Sequence, residues 1–411
     1  MNIKFIEKRE SFYFILVNVI VAFLGFLRSF AFMKFLDFEE LGLLTLLQTG
    51  AMFIGFFQIG LINGGYRIIA LQKDKLTENT NNVIFSYFSV LFLVLLFFYF
   101  LNFFLEVYKG NLIVFSLFIF GFSLLISNWL SNIFIAQRNY RMLNKINFTS
   151  AMLSVFCLPL AYYFGVLGGV FCLLIQPVIF SVLVLIFSVN KRPTKFIINF
   201  IELKKILHYG FLPFISGIFF LLYIQIERWS VSFFLGTESL GNLYLFILST
   251  SLWVLVPISI GNLFFPKCVL AFEKNNYVKF NQLIKNHFYV IILYSLLTSF
   301  SLFLFLDPII EFAFPKHIPF VKFVYLAIPG FFFRTLADPI SNFLNSLVKL
   351  KPLLWSDIIG LSTYLLFIIY LLIFDLFSLQ YIIVCFNFLF LVKFIVLFYF
   401  YYRYKSIVNN I

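Results

Sequence analysis

The sequence predicts an all-α membrane protein of about twelve transmembrane helices in two pseudo-symmetric six-helix lobes, with both termini cytoplasmic. Three observations carry that prediction: an apolar composition, twelve apolar runs of bilayer length, and a match between the two halves of the chain. Of 411 residues, 63% are hydrophobic and 11% charged, and the mean hydropathy is +1.03. Soluble domains carry about 25% charged residues, so a soluble globular enzyme and a disordered chain are both excluded. The 65 Phe residues suit helix surfaces that face lipid.

A bilayer core takes roughly 20 apolar residues per helix. Runs of that kind cover 11–36, 41–66, 83–105, 112–135, 146–164, 166–189, 208–235, 242–266, 287–306, 319–345, 353–374 and 378–402. The fifth and sixth are separated only by a short break near Gly165. Met1 to Glu10 mixes Lys and Glu and lacks a small-residue cleavage site, so the first run reads as a retained span. Cys157, Cys172, Cys268 and Cys385 sit inside apolar runs without metal-type spacing and read as small buried hydrophobes.

The net charge of +13 raises the question of a nucleic-acid partner, and the loops answer it. Twenty-two of the thirty basic residues fall in segments that are cytoplasmic if the N-terminus is inside, whereas the outer segments hold only Lys34, Lys109, Lys316 and Lys322. That asymmetry is the positive-inside pattern, and no nucleic-acid partner is expected. The lobes are expected at 1–190 and 208–411, joined by a basic cytoplasmic linker at 191–207.

The halves match at an offset of 199 residues. Phe35-Leu36-Asp37-Phe38-Glu39-Glu40-Leu41-Gly42 pairs with Phe234-Leu235-Gly236-Thr237-Glu238-Ser239-Leu240-Gly241, in the loops after the first and seventh spans. Two halves of equal topology imply a parallel repeat, and transporters built so bind substrate between the repeats.

The segment Phe35 to Arg67 resembles the N-terminal signature of Wzx-type polysaccharide flippases, members of the multidrug/oligosaccharidyl-lipid/polysaccharide exporter superfamily. Glu227 to Phe246 and Phe134 to Phe148 are similar to the same family. One departure is Glu227-Arg228, where the family often has Asp-Arg. The resemblance implies a lipid-linked oligosaccharide flippase of a bacterial inner membrane, serving O-antigen, lipopolysaccharide, capsule or exopolysaccharide biosynthesis. It also implies a polymerase and a chain-length protein of the same pathway as partners, beside membrane lipids.

Four basic residues lie within spans: Arg28, Arg228, Arg334 and Lys393. Three acids join them: Glu227, Asp338 and Asp357. An ionisable side chain at the centre of a span costs about 2.5–3.5 kcal/mol, so each is expected to face a partner or a polar cavity. Arg28 and Glu227 are repeat counterparts, which suits either an attraction across a central cavity or a permanent clamp. Arg334 and Asp338, four residues apart, share a helix face and form either a self-satisfied pair or part of the site.

Given the resemblance, Arg28, Arg228, Arg334 and Lys393 are candidate ligands for a diphosphate, since guanidinium forks suit phosphate oxygens. Gln48, Gln58, Asn63 and Asn132, with Asn128, are candidate walls for the sugar, or else interhelical glue. Glu227, Asp338 and Asp357 are candidate ion-coupling or ion-pair groups. No P-loop, catalytic carboxylate pair or metal cluster is present, so neither an enzyme nor a bound cofactor is expected. Two other classes compete: an ion-coupled multidrug antiporter of the same superfamily, and a membrane-embedded polysaccharide polymerase. The absence of a sizeable outer loop disfavours the polymerase.

Overall fold

A computed structural model of the chain describes residues 3–71, 75–105, 111–137, 139–188, 192–347 and 349–409. All its regular elements among these residues are helices. They are α1 (Ile3–Phe35), α2 (Phe38–Ile54), α3 (Leu61–Leu71), α4 (Lys75–Leu105), α5 (Asn111–Ala136), α6 (Tyr140–Phe156) and α7 (Leu158–Phe187). There follow α8 (Phe200–Leu235), α9 (Thr237–Asn242), α10 (Tyr244–Glu273), α11 (Tyr277–Ala313), α12 (Val321–Ser346), α13 (Lys351–Ile373) and α14 (Leu379–Asn409).

Ten stretches among the described residues are long and apolar enough to cross a membrane. One of them, Leu158–Phe187, is not a single crossing. Gly165 takes φ 55° and ψ −133°, which reverses the chain. The reversal brings the Cys172 thiol within 2.8 Å of the Cys157 carbonyl, which accepts its hydrogen bond. The fifth crossing is therefore α6 continued to Phe164, and the sixth starts after Gly165. With α8, whose 36 residues exceed bilayer length, the crossings among the described residues number twelve.

The positive φ suits only glycine, and a Cβ there would also meet Glu40 Oε1 at 2.2 Å. Glu40 belongs to the repeated loop motif. Its amide donates to Asp37 Oδ1 at 2.8 Å while its carboxylate accepts from the Asp37 amide at 3.1 Å. This capping box satisfies two free amides at the start of α2. In the second copy, Gly236 at φ 87° makes the turn instead.

The second crossing is broken. A 3-10 turn spans Gly55–Gln58, and Ile59 and Gly60 both take positive φ before α3 begins. Interrupting a helix inside the bilayer frees backbone groups that lipid cannot satisfy. Side chains meet that need: Tyr87 Oη donates to the Phe57 carbonyl at 2.7 Å, and Gln58 Oε1 accepts from the Ile62 amide at 3.2 Å. Beyond the break, α3 lies backbone to backbone against the start of α8. A Cβ on Gly64 would meet the Ile206 carbonyl oxygen at 1.9 Å, and one on Gly210 the Gly60 carbonyl oxygen at 1.9 Å. Small residues at such a crossing are how membrane helices gain contact without a hydrophobic driving force.

Packing divides the chain into two compact units, Met1–Ile218 and Phe219–Ile411, and the division falls inside α8. The stretch expected as a linker does not run freely. Its first part is fastened to α4: the Thr194 amide donates to Asn82 Oδ1 at 2.8 Å, the Thr194 hydroxyl to Glu78 at 2.7 Å, and the Ile197 amide to Ser86 Oγ at 2.8 Å. Its second part, from Phe200, is already helical as the opening of α8. Arg192 donates to the carbonyls of Leu185 and Ile186, closing the end of α7.

Each unit has its own core. In the first, Trp129, Ile133, Phe134 and Phe88 are buried together, and the Trp129 indole donates to Asn81 Oδ1 at 2.9 Å. In the second, Phe331 stacks between Phe246 and Trp253 at 5.7 and 5.6 Å between ring centroids, with Phe386 edge-on. The remaining phenylalanines explain the composition: Phe104, Phe233 and Phe312 lie on outward faces, up to 92% exposed in the isolated chain. Such faces need lipid around them.

Candidate functional site

Each unit carries intramembrane charge, and the two handle it differently. In the first unit α1 brings Arg28 against α6 and α7. Arg28 Nη1 donates to Ser154 Oγ at 3.2 Å and to Gln176 Oε1 at 3.0 Å. Both acceptors are neutral, so they fix the direction of the guanidinium without cancelling its charge. Ser154 in turn donates to the Ala151 carbonyl at 2.8 Å, leaving its lone pairs for Arg28.

The second unit gathers six charges from four helices. α8 supplies Glu227 and Arg228, α12 Arg334 and Asp338, α13 Asp357, and α14 Lys393. The firmest link joins α13 to α14: Lys393 Nζ lies 2.8 Å from Asp357 Oδ1, with the side chains 16% and 8% exposed. Asp338 lies within electrostatic reach of both Arg334 and Lys393. Arg334 in turn feels Glu227 as well as Asp338, and its guanidinium lies over the Phe390 ring at 5.4 Å. Glu227 and Arg228, 2% and 8% exposed, neighbour one another along α8.

Three cations and three anions make this cluster formally neutral. Neutrality is the condition under which so many charges can leave water together, because each ion's desolvation is offset by opposite charge nearby. Among the described residues Glu227 Oε2 and Arg228 Nε are buried without a hydrogen-bond partner. Tyr244 lies near Arg228 and Tyr364 near Glu227, both buried. The cluster thus combines permanent charge with hydroxyl groups and two unspent hydrogen-bonding positions.

The other residues singled out in the sequence lie elsewhere in the first unit. Gln58 caps α3, as described above. Asn132 Nδ2 donates to the Asn128 carbonyl of its own helix at 2.8 Å. Gln48 is half-buried on α2 and Asn63 half-buried on α3. The structure brings together Glu227, Arg228, Arg334, Asp338, Asp357 and Lys393; Arg28 stands in its own setting in the other unit.

Sequence reasoning missed Ser154, Gln176, Tyr244 and Tyr364. Gln176 carried a signal, a lone amide in the apolar run 166–189 immediately before Pro177. The two tyrosines carried none, since an aromatic in an apolar run reads equally as lipid-facing. Among the described residues no group of His, Cys, Asp and Glu could hold a metal ion.

No protein-family model matches the sequence, and no curated protein matches it. Solved structures do. The lipid II flippase MurJ in an inward closed conformation is similar with a TM-score of 0.72 at 13% identity, over 94% of this chain and 86% of that one. An inward-facing multidrug resistance MATE family transporter of the MOP superfamily gives 0.64 at 13% identity, over 97% and 99%. A MOP superfamily transporter from Pyrococcus furiosus gives 0.62 at 15% identity, over 98% and 96%. All three are membrane transporters or flippases, and the similarity spans whole chains. The protein is a multi-pass membrane protein with the fold shared by MATE transporters and the lipid II flippase MurJ.

Proposed function

We propose that the chain is a flippase that moves an undecaprenyl-diphosphate-linked oligosaccharide repeat unit across the bacterial inner membrane by alternating access. The observation that carries this reading is the set of cations Arg28, Arg228, Arg334 and Lys393 on membrane-crossing helices of a fold shared with a lipid II flippase. A diphosphate entering the membrane must exchange water for other donors. Guanidinium groups offer permanent charge and paired N–H donors matched to phosphate oxygens. Arg228 and Arg334 are balanced by carboxylates at rest, so the incoming diphosphate takes over the role of Glu227 or Asp338 and the buried charge stays near balance. Arg28, oriented by Ser154 and Gln176, supplies a further positive group. The product would feed O-antigen, capsule or exopolysaccharide synthesis, with the pathway's polymerase and chain-length protein as partners.

The test is transbilayer movement of a fluorescent polyprenyl-diphosphate sugar in proteoliposomes, read by dithionite quenching. Arg28→Glu should abolish movement while the protein still inserts, and Arg28→Lys should retain part of it. Wild-type movement by Arg28→Glu overturns the proposal.

A second reading, a cation-exporting multidrug antiporter, is favoured by one observation. Glu227 is buried with an oxygen that accepts no hydrogen bond among the described residues, as a site for a cationic drug would be. Ethidium efflux from a pump-deficient host, lost in Glu227→Gln, would favour it over the flippase.

A further inference from the structure

The second unit has a groove that none of the six clustered charges lines, at the ends of α11 and α14 that the loop charges make cytoplasmic. Its volume is about 410 Å³. We propose that it holds the headgroup phosphate of an anionic phospholipid of the cytoplasmic leaflet.

The first argument is charge. Lys285 on α11 and Lys405 on α14 both line the groove, and among the described residues no carboxylate does. Each ammonium is held close to the wall, Lys285 Nζ 5.7 Å above the Tyr289 ring and Lys405 Nζ 5.2 Å above the Tyr401 ring. Aromatic faces attract cations without neutralising them, so both positive groups stay available to an anion.

The second argument is the order of side chains along the groove. Asn281, Gln282 and Lys285 line its outer end, Phe288, Tyr289 and Tyr401 follow, and Ile292 lines the part that enters the apolar run. From residue 281 to residue 292 a helix climbs about 16 Å. Over that distance the lining passes from amide and ammonium through a level of aromatic rings, two of them tyrosines, to hydrocarbon, which parallels a phospholipid from phosphate through the glycerol level to the acyl chain. A free inorganic anion would use only the outer end and leave the apolar part unoccupied. Phe288 and Tyr401 meet edge-on at 5.8 Å and close the floor between the two helices. Basic pockets between helices on the cytoplasmic side are a recurrent way of holding anionic headgroups.

The test uses the purified full chain in mild detergent, titrated with phosphatidylglycerol or phosphatidylcholine and read by native mass spectrometry. The wild type should retain phosphatidylglycerol in preference to phosphatidylcholine. Lys285→Gln with Lys405→Gln should weaken that binding by about 30-fold, from the usual contribution of a basic residue near anionic lipid taken twice. Lys274→Gln with Lys279→Gln removes the same charge from the neighbouring turn and should leave binding within about twofold. Lys285→Arg with Lys405→Arg keeps the charge and should bind as the wild type, which separates lost binding from lost folding. Equal retention of phosphatidylcholine, unchanged binding in the double Gln variant, or displacement of the lipid by equimolar inorganic phosphate would each overturn the proposal.

Discussion

Removing Lys393 tests how the charge cluster of the second unit is held together. Lys393→Met keeps the volume of the stem and deletes the ammonium that lies 2.8 Å from Asp357 Oδ1. Asp357 is 8% exposed, so its carboxylate is left in a low-dielectric setting with little water to replace the lost partner. Breaking a buried pair in this way costs about 3–5 kcal/mol. The reciprocal change, Asp357→Leu, should cost less, for two structural reasons. Lys393 is twice as exposed, at 16%, and its flexible stem can carry the ammonium toward water. Asp338 also lies within its electrostatic reach and offers a second partner.

The double variant, Lys393→Met with Asp357→Leu, removes both desolvation penalties and should lie close to wild type, so the cycle should show a coupling at least as large as the Lys393→Met cost, about 3–5 kcal/mol or more. Reversible unfolding in mixed micelles, followed by the fluorescence of the buried Trp129 and Trp253, gives the free energies. Additive single effects, or a coupling below about 0.5 kcal/mol, would refute the inference that this pair is a buried structural link.

Two further outcomes follow from backbone geometry. Gly210→Ala places a methyl group where the Gly60 carbonyl oxygen stands 1.9 Å away, so α3 and α8 must separate; destabilisation of about 1–3 kcal/mol is expected in the same unfolding assay. Gly165→Ala forces an L side chain into φ 55°, ψ −133° against Glu40, and about 1–3 kcal/mol of strain should show as faster hydrogen exchange at the α7 hairpin.

Hydropathy made the twelve crossings legible because the bilayer selects for apolar length and nothing else in the chain imitates it. It did not give the helix ends. The ninth apolar run covers 287–306, yet α11 runs from Tyr277 to Ala313. Its polar first turns, with Lys279 and Lys285, remain helical beyond the hydrocarbon, where the backbone satisfies itself whatever the side chains face. The break in the second crossing was partly legible. The glycines from Gly50 to Gly65 suit close packing, but the partner of Gly60, the one that takes positive φ, is Gly210 in a helix 150 residues away. Polar side chains were the least legible. Gln58, Asn132 and Gln176 look alike in the sequence, as single amides in apolar runs. One caps a helix, one bonds its own turn and one orients Arg28, because their partners are set by packing between helices and not by local pattern.

Under the proposed flippase function, the second unit would keep charge for an anionic ligand without losing its fold. Six charges in the second unit sum to zero, so the resting cluster tolerates burial, and each arginine already has a carboxylate nearby. A ligand that brings its own negative charge competes with those carboxylates, and the protein gives up an internal attraction as it gains an external one. Under the proposed function the net gain would be small, which suits a carrier that must also release what it binds. In the first unit, Arg28 donates to two neutral side chains. Neutral Ser154 and Gln176 hold its direction, and no charge has to be displaced from either of them when an anion approaches. The repeat places Arg28 and Glu227 at equivalent sequence positions with opposite sign. Under the proposed function, the same repeat position would carry a cation in the first unit and a carboxylate of the charge network in the second.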